Sequence, residues 1–374
     1  MKKKFLAALM CATLTVTTLA GCGGDSAKDG KNDIPTSQTG GNENTGDDSP
    51  ENSGGSDSGI VIGFSQVGAE SDWRTANTES MKSTFSEDKG YTLKFDDAQQ
   101  KQENQIKAIR SFIEQDVKYI VLAPVTETGW DTVLKEVKDA GIPLIIVDRM
   151  VEVSDDSLYT AWVGSNFKLE GDKACAWLKA YADAQGVKEL NIVDIQGTIG
   201  ASAQIGRSQG LEEAVEANEG WTLLAQQSGE FTQAKGQEVM ESFIKQYGDK
   251  INVVYCENDN EAFGAIDALT SAGYTVGTDL SKGEVLVMSF DSTNAGMTDV
   301  LSGKIVCNTE CNPLHGPRVE EIIKALEAGN EVEKQQYVEE EIFAAGDEVT
   351  SITVGDDSFD VTTVTQEVID GRAY

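Results

Sequence analysis

The chain has 374 residues, room for two domains, because single cores stop growing at roughly 250–300 residues. Its 63 Asp and Glu outnumber 30 Lys and Arg, giving a formal net charge of −33. Such a surface repels DNA, RNA and anionic headgroups and excludes a nucleic-acid role. One histidine in the whole chain, His315, argues against Ser-His or Cys-His catalysis.

Lys2, Lys3 and Lys4 precede an apolar stretch from Phe5 to Leu19, and Leu19-Ala20-Gly21-Cys22 follows. This is the pattern of a secretory signal, too short for a membrane-spanning helix of about 20 apolar residues. It resembles a bacterial lipoprotein signal. That resemblance implies removal of residues 1–21 and a lipid on the Cys22 sulfur, holding the protein on the outer face of the cell membrane. Lipid tethering of this kind suits a cell without an outer membrane, and a Gram-positive source is expected. Residues 22–58 are mostly Gly, Ser, Asp, Asn, Thr and Glu, with Ile34 the only large aliphatic residue. They cannot bury enough apolar surface to offset ordering entropy, so a disordered acidic tether is expected. Its r.m.s. span would be roughly 30–36 Å.

The globular part begins near residue 59 and alternates strand with helix. Ile60–Phe64 reads as a strand, 72–88 as a helix and Tyr91–Phe95 as a strand. Gln105, Ile106, Ile109, Phe112 and Ile113 fall at helical spacing. Tyr119–Ala123 and Pro143–Val147 are apolar runs of the buried-strand type, with a helix expected over Trp130–Ala140. A second round follows Val163. Helices are expected at Leu169–Ala184, 201–217, 232–246, Glu261–Ala272 and 295–301. Strands are expected at Leu190–Ile195, Trp221–Gln226, Val253–Tyr255, Val285–Phe290 and about 305–307. The pattern defines an α/β protein of two similar lobes with parallel sheets.

In open α/β sheets ligands bind beyond the carboxyl ends of the strands. The polar residues there are Glu70, Ser71, Asp72, Trp73 and Arg74 after the first strand, and Asp148 and Arg149 after Val147. The second lobe offers Arg207, Asn258, Asp291 and Glu310. Carboxylates and amides accept protons from sugar hydroxyls, guanidinium groups donate to their oxygens, and an aromatic plate covers a ring's C–H face. Read singly, each has a plainer role: Asp148-Arg149 as a surface ion pair, Asn258 as a helix N-cap, Arg207 as an exposed helix residue. Gly197-Thr198-Ile199-Gly200 lacks the Lys-Ser/Thr of a phosphate loop.

The chain resembles the type I periplasmic sugar-binding proteins of ABC importers, the ribose- and galactose-binding group, and within it the galactofuranose-binding branch. The resemblance rests on Gly63 to Gly68, Glu70 to Arg74, Gln99 to Gln105, Gly197 to Ser202 and Glu238 to Lys245. It implies two Rossmann-like lobes joined by a three-stranded hinge. Lobe one would hold about 59–164 and 311–342, lobe two about 165–310 and 343–374. It also implies that the eleven residues named above contact a monosaccharide, with Trp73 against the ring and Glu310 at the hinge. Phe231 sits where relatives place an aromatic residue. Asp72, commonly Gly in that branch, departs from its pattern, as do Cys256 and Cys311.

The implied function is a monomeric solute-binding protein, not an enzyme and without cofactor or metal. It would capture a galactofuranose-like or related sugar and deliver it to an ABC transporter permease. The same fold also serves sugar-sensing receptors that dock on a chemoreceptor or sensor kinase. A glycosidase is opposed by the two-lobe pattern despite the many carboxylates. A repressor would need a DNA-binding segment where this chain carries its signal and tether. Cys175, Cys256, Cys307 and Cys311 remain in the globular part; the Cys307–Cys311 spacing is not that of a zinc site, and buried or free thiols are expected.

Overall fold

The computed structural model describes residues 59–374. The signal at 1–21, Cys22 and the tether at 22–58 lie outside the described residues.

Strands β1 (Ile60–Gln66), β2 (Tyr91–Asp97), β3 (Tyr119–Leu122), β4 (Leu144–Val147) and β5 (Ala161–Gly164) alternate with α1 (Asp72–Thr84), α2 (Gln102–Glu114) and α3 (Asp131–Asp139). β3 and β4, Tyr-Ile-Val-Leu and Leu-Ile-Ile-Val, are buried throughout. That is the mark of parallel strands covered on both faces. The second round runs α4 (Phe167–Gln185), β6 (Leu190–Gln196), α5 (Ser202–Ala217), β7 (Trp221–Ser228), α6 (Gln233–Tyr247), β8 (Val253–Cys256), α7 (Asp259–Ser271), β9 (Leu286–Asp291), α8 (Asn294–Leu301) and β10 (Cys307–Glu310). The chain then returns through α9 (His315–Glu327) and β11 (Gln335–Tyr337). It closes with β12 (Ile342–Ala344), β13 (Ser351–Val354), β14 (Asp357–Thr363) and α10 (Gln366–Asp370).

The first sheet has the order β11-β5-β4-β3-β1-β2 and is parallel throughout. The second has the order β13-β14-β12-β10-β9-β8-β6-β7. It is parallel from β7 to β10, and β12 then pairs antiparallel with β10. Apolar residues pack on both faces of each sheet, around Phe64 and Trp130 in the first lobe, Trp177 and Phe243 in the second. The chain passes between the sheets at residues 165–166, 311–314 and 338–341.

Two elements differ from their sequence expectation in ways that bear on the site. The first helix stops at Thr84, and a separate turn covers 87–89. The strand expected near 305–307 lies instead at Cys307–Glu310, in register with Met288–Asp291 of β9. Beyond residue 313 the sequence reading assigned no element, yet α9 to α10 include three strands of the second sheet.

Candidate functional site

The carboxyl ends of the two sheets face each other across a small cavity of about 280 Å³, counting the solvent space at its mouth. Nine of the eleven residues singled out in the sequence line it: Glu70, Ser71, Trp73, Arg74, Asp148, Arg149, Arg207, Asn258 and Asp291. Phe167, Ala203, Phe231 and Cys311 complete the wall. Trp73, Phe167, Ala203, Phe231, Cys311 and Ala201 form a small apolar cluster drawn from both lobes. The lobes also touch directly. Asp72 N–H donates to Asn260 Oδ1 (3.0 Å), Met150 N–H to Ser202 Oγ (2.9 Å) and Glu127 N–H to the Gly200 carbonyl (2.9 Å). This is a closed arrangement.

On the first lobe Ser71 caps α1, accepting from Arg74 N–H at 3.1 Å, and so turns Trp73 and Arg74 inward. The Trp73 indole N–H donates to the Cys311 carbonyl at 2.6 Å, which fixes the ring between lobe and hinge. Arg74 bonds Glu70 (3.0 Å), Asp148 (2.7 Å) and Gln66 (3.2 Å). Burial opposes its charge, but the two carboxylates outweigh burial and raise its pKa. Burial likewise pushes the Asp148 carboxyl up, and Arg74 and Arg149 overcome this and hold it below the usual range. Arg149 is the loosest of the four. Its nearest carboxylates, Glu70 and Asp148, lie at 3.7 and 3.9 Å, and burial together with Arg74 lowers it to about 10. Its guanidinium sits 5.0 Å from the centre of the Phe231 ring on the opposite lobe.

On the second lobe α4 and α5 cross closely at Gly171, Gly206 and Gly210. A Cβ on Gly206 would stand 2.7 Å from Lys168 N. This approach brings Arg207 to Glu170 (2.7 Å) and the Glu257 carbonyl (2.5 Å), with Asp291 at 3.7 Å. Burial opposes the charge of Arg207, yet Glu170 and Asp291 raise its pKa. The Asp291 carboxyl goes well up: burial dominates, and Arg207 offsets it only in part. Asn258 lines the cavity but its amide is committed, capping α7 through Glu261 N–H (2.8 Å) and donating to the Phe231 carbonyl (3.1 Å).

Four of these corners have left-handed backbone without being glycine: Gln99 and Gln100, Asp148 (φ 63°), Glu230 and Phe231 (φ 61°), and Asp291 (φ 95°) with Ser292. Such conformations cost of order 1–3 kcal/mol each and persist only where the surroundings impose them. At Phe231 the imposition is visible. Glu261 accepts its N–H at 2.8 Å, and Gly197 leaves no Cβ where one would stand 1.9 Å from the ring.

Two expected contacts do not reach the cavity. Asp72 is the exposed first residue of α1, pointing away while Trp73 and Arg74 turn in. Glu310 is the last residue of β10 and is held elsewhere, by Arg372 (2.9 Å), the Tyr374 hydroxyl (2.5 Å) and Glu341 N–H (3.0 Å). The sequence reading missed Phe167, Ala203 and Cys311, and left Phe231 as a weak candidate. The four thiols Cys175, Cys256, Cys307 and Cys311 are buried and unpaired.

Two lobes closed over a small, densely charged cavity at their strand ends define a bilobal binding protein for a small polar ligand. The family model for the periplasmic binding protein domain matches residues 62–309. Galactofuranose-binding protein YtfQ of Escherichia coli is 43% identical over 278 residues, 74% of this chain and 85% of its own length. A Mycobacterium smegmatis structure in complex with β-D-fucofuranose is 42% identical with a TM-score of 0.72, covering 77% of this chain and 92% of that one. The binding protein of the arabinose ABC transporter from Shewanella sp. ANA-3, bound to α- and β-L-arabinofuranose, is 40% identical with a TM-score of 0.71; the match covers 76% and 92%. The chain belongs to the periplasmic binding protein family, of the type I fold, and its neighbours there are sugar-binding proteins of ABC importers. Those relatives are binding proteins of transport systems rather than enzymes. No described helix is long and apolar enough to cross a membrane.

Proposed function

We propose that this protein captures a monosaccharide in its furanose form, galactofuranose-like or related, and presents it to an ABC transporter permease. The observation that carries the reading is unspent polar capacity in the cavity between the lobes. Glu70 Oε2 is buried without a partner, Asp291 approaches its nearest ion no closer than 3.7 Å, and Arg149, bonded to the Val125 carbonyl (3.0 Å), likewise has no ion closer than 3.7 Å. Buried polar groups of this kind require partners, and a polyol supplies them from both lobes at once. The furanose form is supported by the ligands of the two solved relatives named above.

Sugar capture would draw the lobes together, with the three inter-lobe segments as hinges. Closure removes water, so the hydrogen bonds from Asp148, Arg149, Arg207 and Asp291 strengthen. Transport energy then comes from the permease's own ATPase. The N-terminal pattern supports a lipid anchor at Cys22 with the domain on the extracytoplasmic face.

Titration calorimetry with L-arabinose and D-galactose, whose solutions contain furanose forms, tests the site. Arg149→Ala and Asp291→Ala are each expected to weaken binding by about 2–5 kcal/mol, since each strands a buried partner. Parental affinity in both variants would remove the assignment.

A further inference from the structure

The three inter-lobe segments converge on one pair of carboxyl groups that the sugar site does not use, Glu170 buried and Glu340 half-buried. Glu170 stands in the first turn of α4, just past the first crossing, and Glu340 lies in the third. Glu340 Oε1 accepts from Ser165 Oγ of the first crossing (2.6 Å) and from Asn312 N–H of the second (2.7 Å). Carboxylate oxygens of Glu170 and Glu340 and the sulfur of Cys311 all lie within 4.8 Å of one another. Glu170 Oε2 is taken by Arg207, whereas its Oε1 is buried with no partner.

The cations nearby do not supply what this pair lacks. Lys173 of α4 spends its ammonium on the Glu340 backbone carbonyl (2.9 Å) and the Phe359 ring (4.5 Å). Arg207 of α5 reaches only Glu170 and is shared with Asp291. Glu310, at the end of β10, adds negative charge toward Glu340, and it is itself held by Arg372 and Tyr374. From the cavity side Asp291 faces Glu170, and Asp148 faces Asp291 and Cys311. Two carboxylates this close, one buried and one half-buried, resist ionising together. One proton between them satisfies Glu170 Oε1 and removes the repulsion.

We propose that Glu170 and Glu340 share one proton across the closed hinge, so that sugar capture takes up a proton and weakens as pH rises. The step that couples it to binding rests on the closing motion of the proposed function. In the open molecule the crossings rotate, water reaches the pair and both groups ionise near their ordinary range; closing recovers the proton. Burial pushes both groups up in the closed form, Glu340 furthest, with Glu170 adding to its shift. A group raised in the closed state favours closure below its open-state pKa, and this contribution is lost as pH rises through the closed-state value. Arg207 transmits the change, because it touches Glu170 on one side and the cavity on the other.

The test compares the full-length protein with Glu340→Gln, whose amide keeps a donor toward Glu170 but carries no titrating proton. Calorimetry with L-arabinose in two buffers of different ionisation enthalpy should show uptake of about one proton by the parent and less by the variant. Affinity of the parent should fall by up to about tenfold per pH unit between the open-state and closed-state values and level off above the latter, and the variant's profile should be flatter. An infrared difference spectrum of parent minus variant at neutral pH, with saturating L-arabinose, should show a protonated-carboxyl band that is absent without sugar. Glu340→Met, also uncharged, serves if the Gln variant does not fold. Equal proton uptake in parent and variant, or no infrared difference, overturns the proposal. Stoichiometric zinc binding lost in Glu340→Gln would also overturn it, making the cluster a cation site. If neither L-arabinose nor D-galactose binds but crystals of the closed protein carry the infrared band, the sugar reading fails and the shared proton stands.

Discussion

Asp148 and Asp291 occupy corresponding corners of the two lobes, each where a buried parallel strand ends and each with left-handed backbone. Their surroundings drive them in opposite directions. Asp148 faces two guanidinium groups and stays ionised despite its burial. Asp291 has one arginine at 3.7 Å, and behind it lie the buried carboxyls of Asp259 and Glu170. The first lobe therefore grips with compensated charges, as an acceptor surface already organised before a ligand arrives. In the second lobe burial pushes the Asp291 and Glu170 carboxyls up, toward the neutral form that can donate. A sugar hydroxyl can meet either face because it both donates and accepts.

The severest way to break this contrast is Arg207→Ala. It removes the only guanidinium of the second face and leaves Glu170 and Asp291 buried without it. The expected loss is about 3–5 kcal/mol in urea denaturation. A loss under about 1 kcal/mol would mean that those acids are already neutral without the arginine. Next in size is the pair Asp148→Asn and Asp291→Asn, measured the same way at neutral pH. The first removes an ionised acceptor from Arg74 and should cost about 1.5–3 kcal/mol. The second replaces a protonated acid by its near-isostere and should leave the midpoint nearly unchanged. Equal losses would erase the distinction between the faces.

The mildest effect is one of slope with pH. Asp194, on β6 of the second lobe, is fully buried, with one carboxyl oxygen unpaired, and burial pushes it up to about 8. A raised acid contributes stability that is fully present below its unfolded pKa of about 3.9 and is lost as pH rises through the folded value. Thermal unfolding followed between pH 4 and 9 should therefore decline less steeply in Asp194→Asn than in the parent. Asp148 has the opposite sign: its contribution is present above about pH 3.9 and is lost as pH falls through the lowered folded value. Parallel profiles in Asp194→Asn and the parent would show that Asp194 is ionised in the native protein.

Much of this was legible in the sequence because its signals are local. Apolar runs such as Leu144–Val147 name their own strands, and the rule that ligands meet strand ends brought nine of the cavity residues forward. What escaped depends on contacts distant in the chain. Phe167, Ala203 and Cys311 are apolar or small, and nothing in their own neighbourhood separates a cavity wall from a core. Glu310 carries the right chemistry, but partners 62 and 64 residues later, Arg372 and Tyr374, claim it. Asp72 departs from its neighbours because the turn of α1 that buries Trp73 and Arg74 leaves it outside. The strands past residue 313 have three to seven residues and gain their identity only by pairing with edges formed earlier.

Cys311 gives the molecule a reporter that requires no engineering. The residue is 2% exposed, burial pushes its thiol well up, and it forms part of the cavity wall between the lobes. An alkylating reagent must wait for the lobes to part, whereas Cys175, Cys256 and Cys307 belong to the packing of the second lobe. The time course of modification at this one position, followed by mass, thus counts opening events directly, and a bound ligand should lengthen the interval between them.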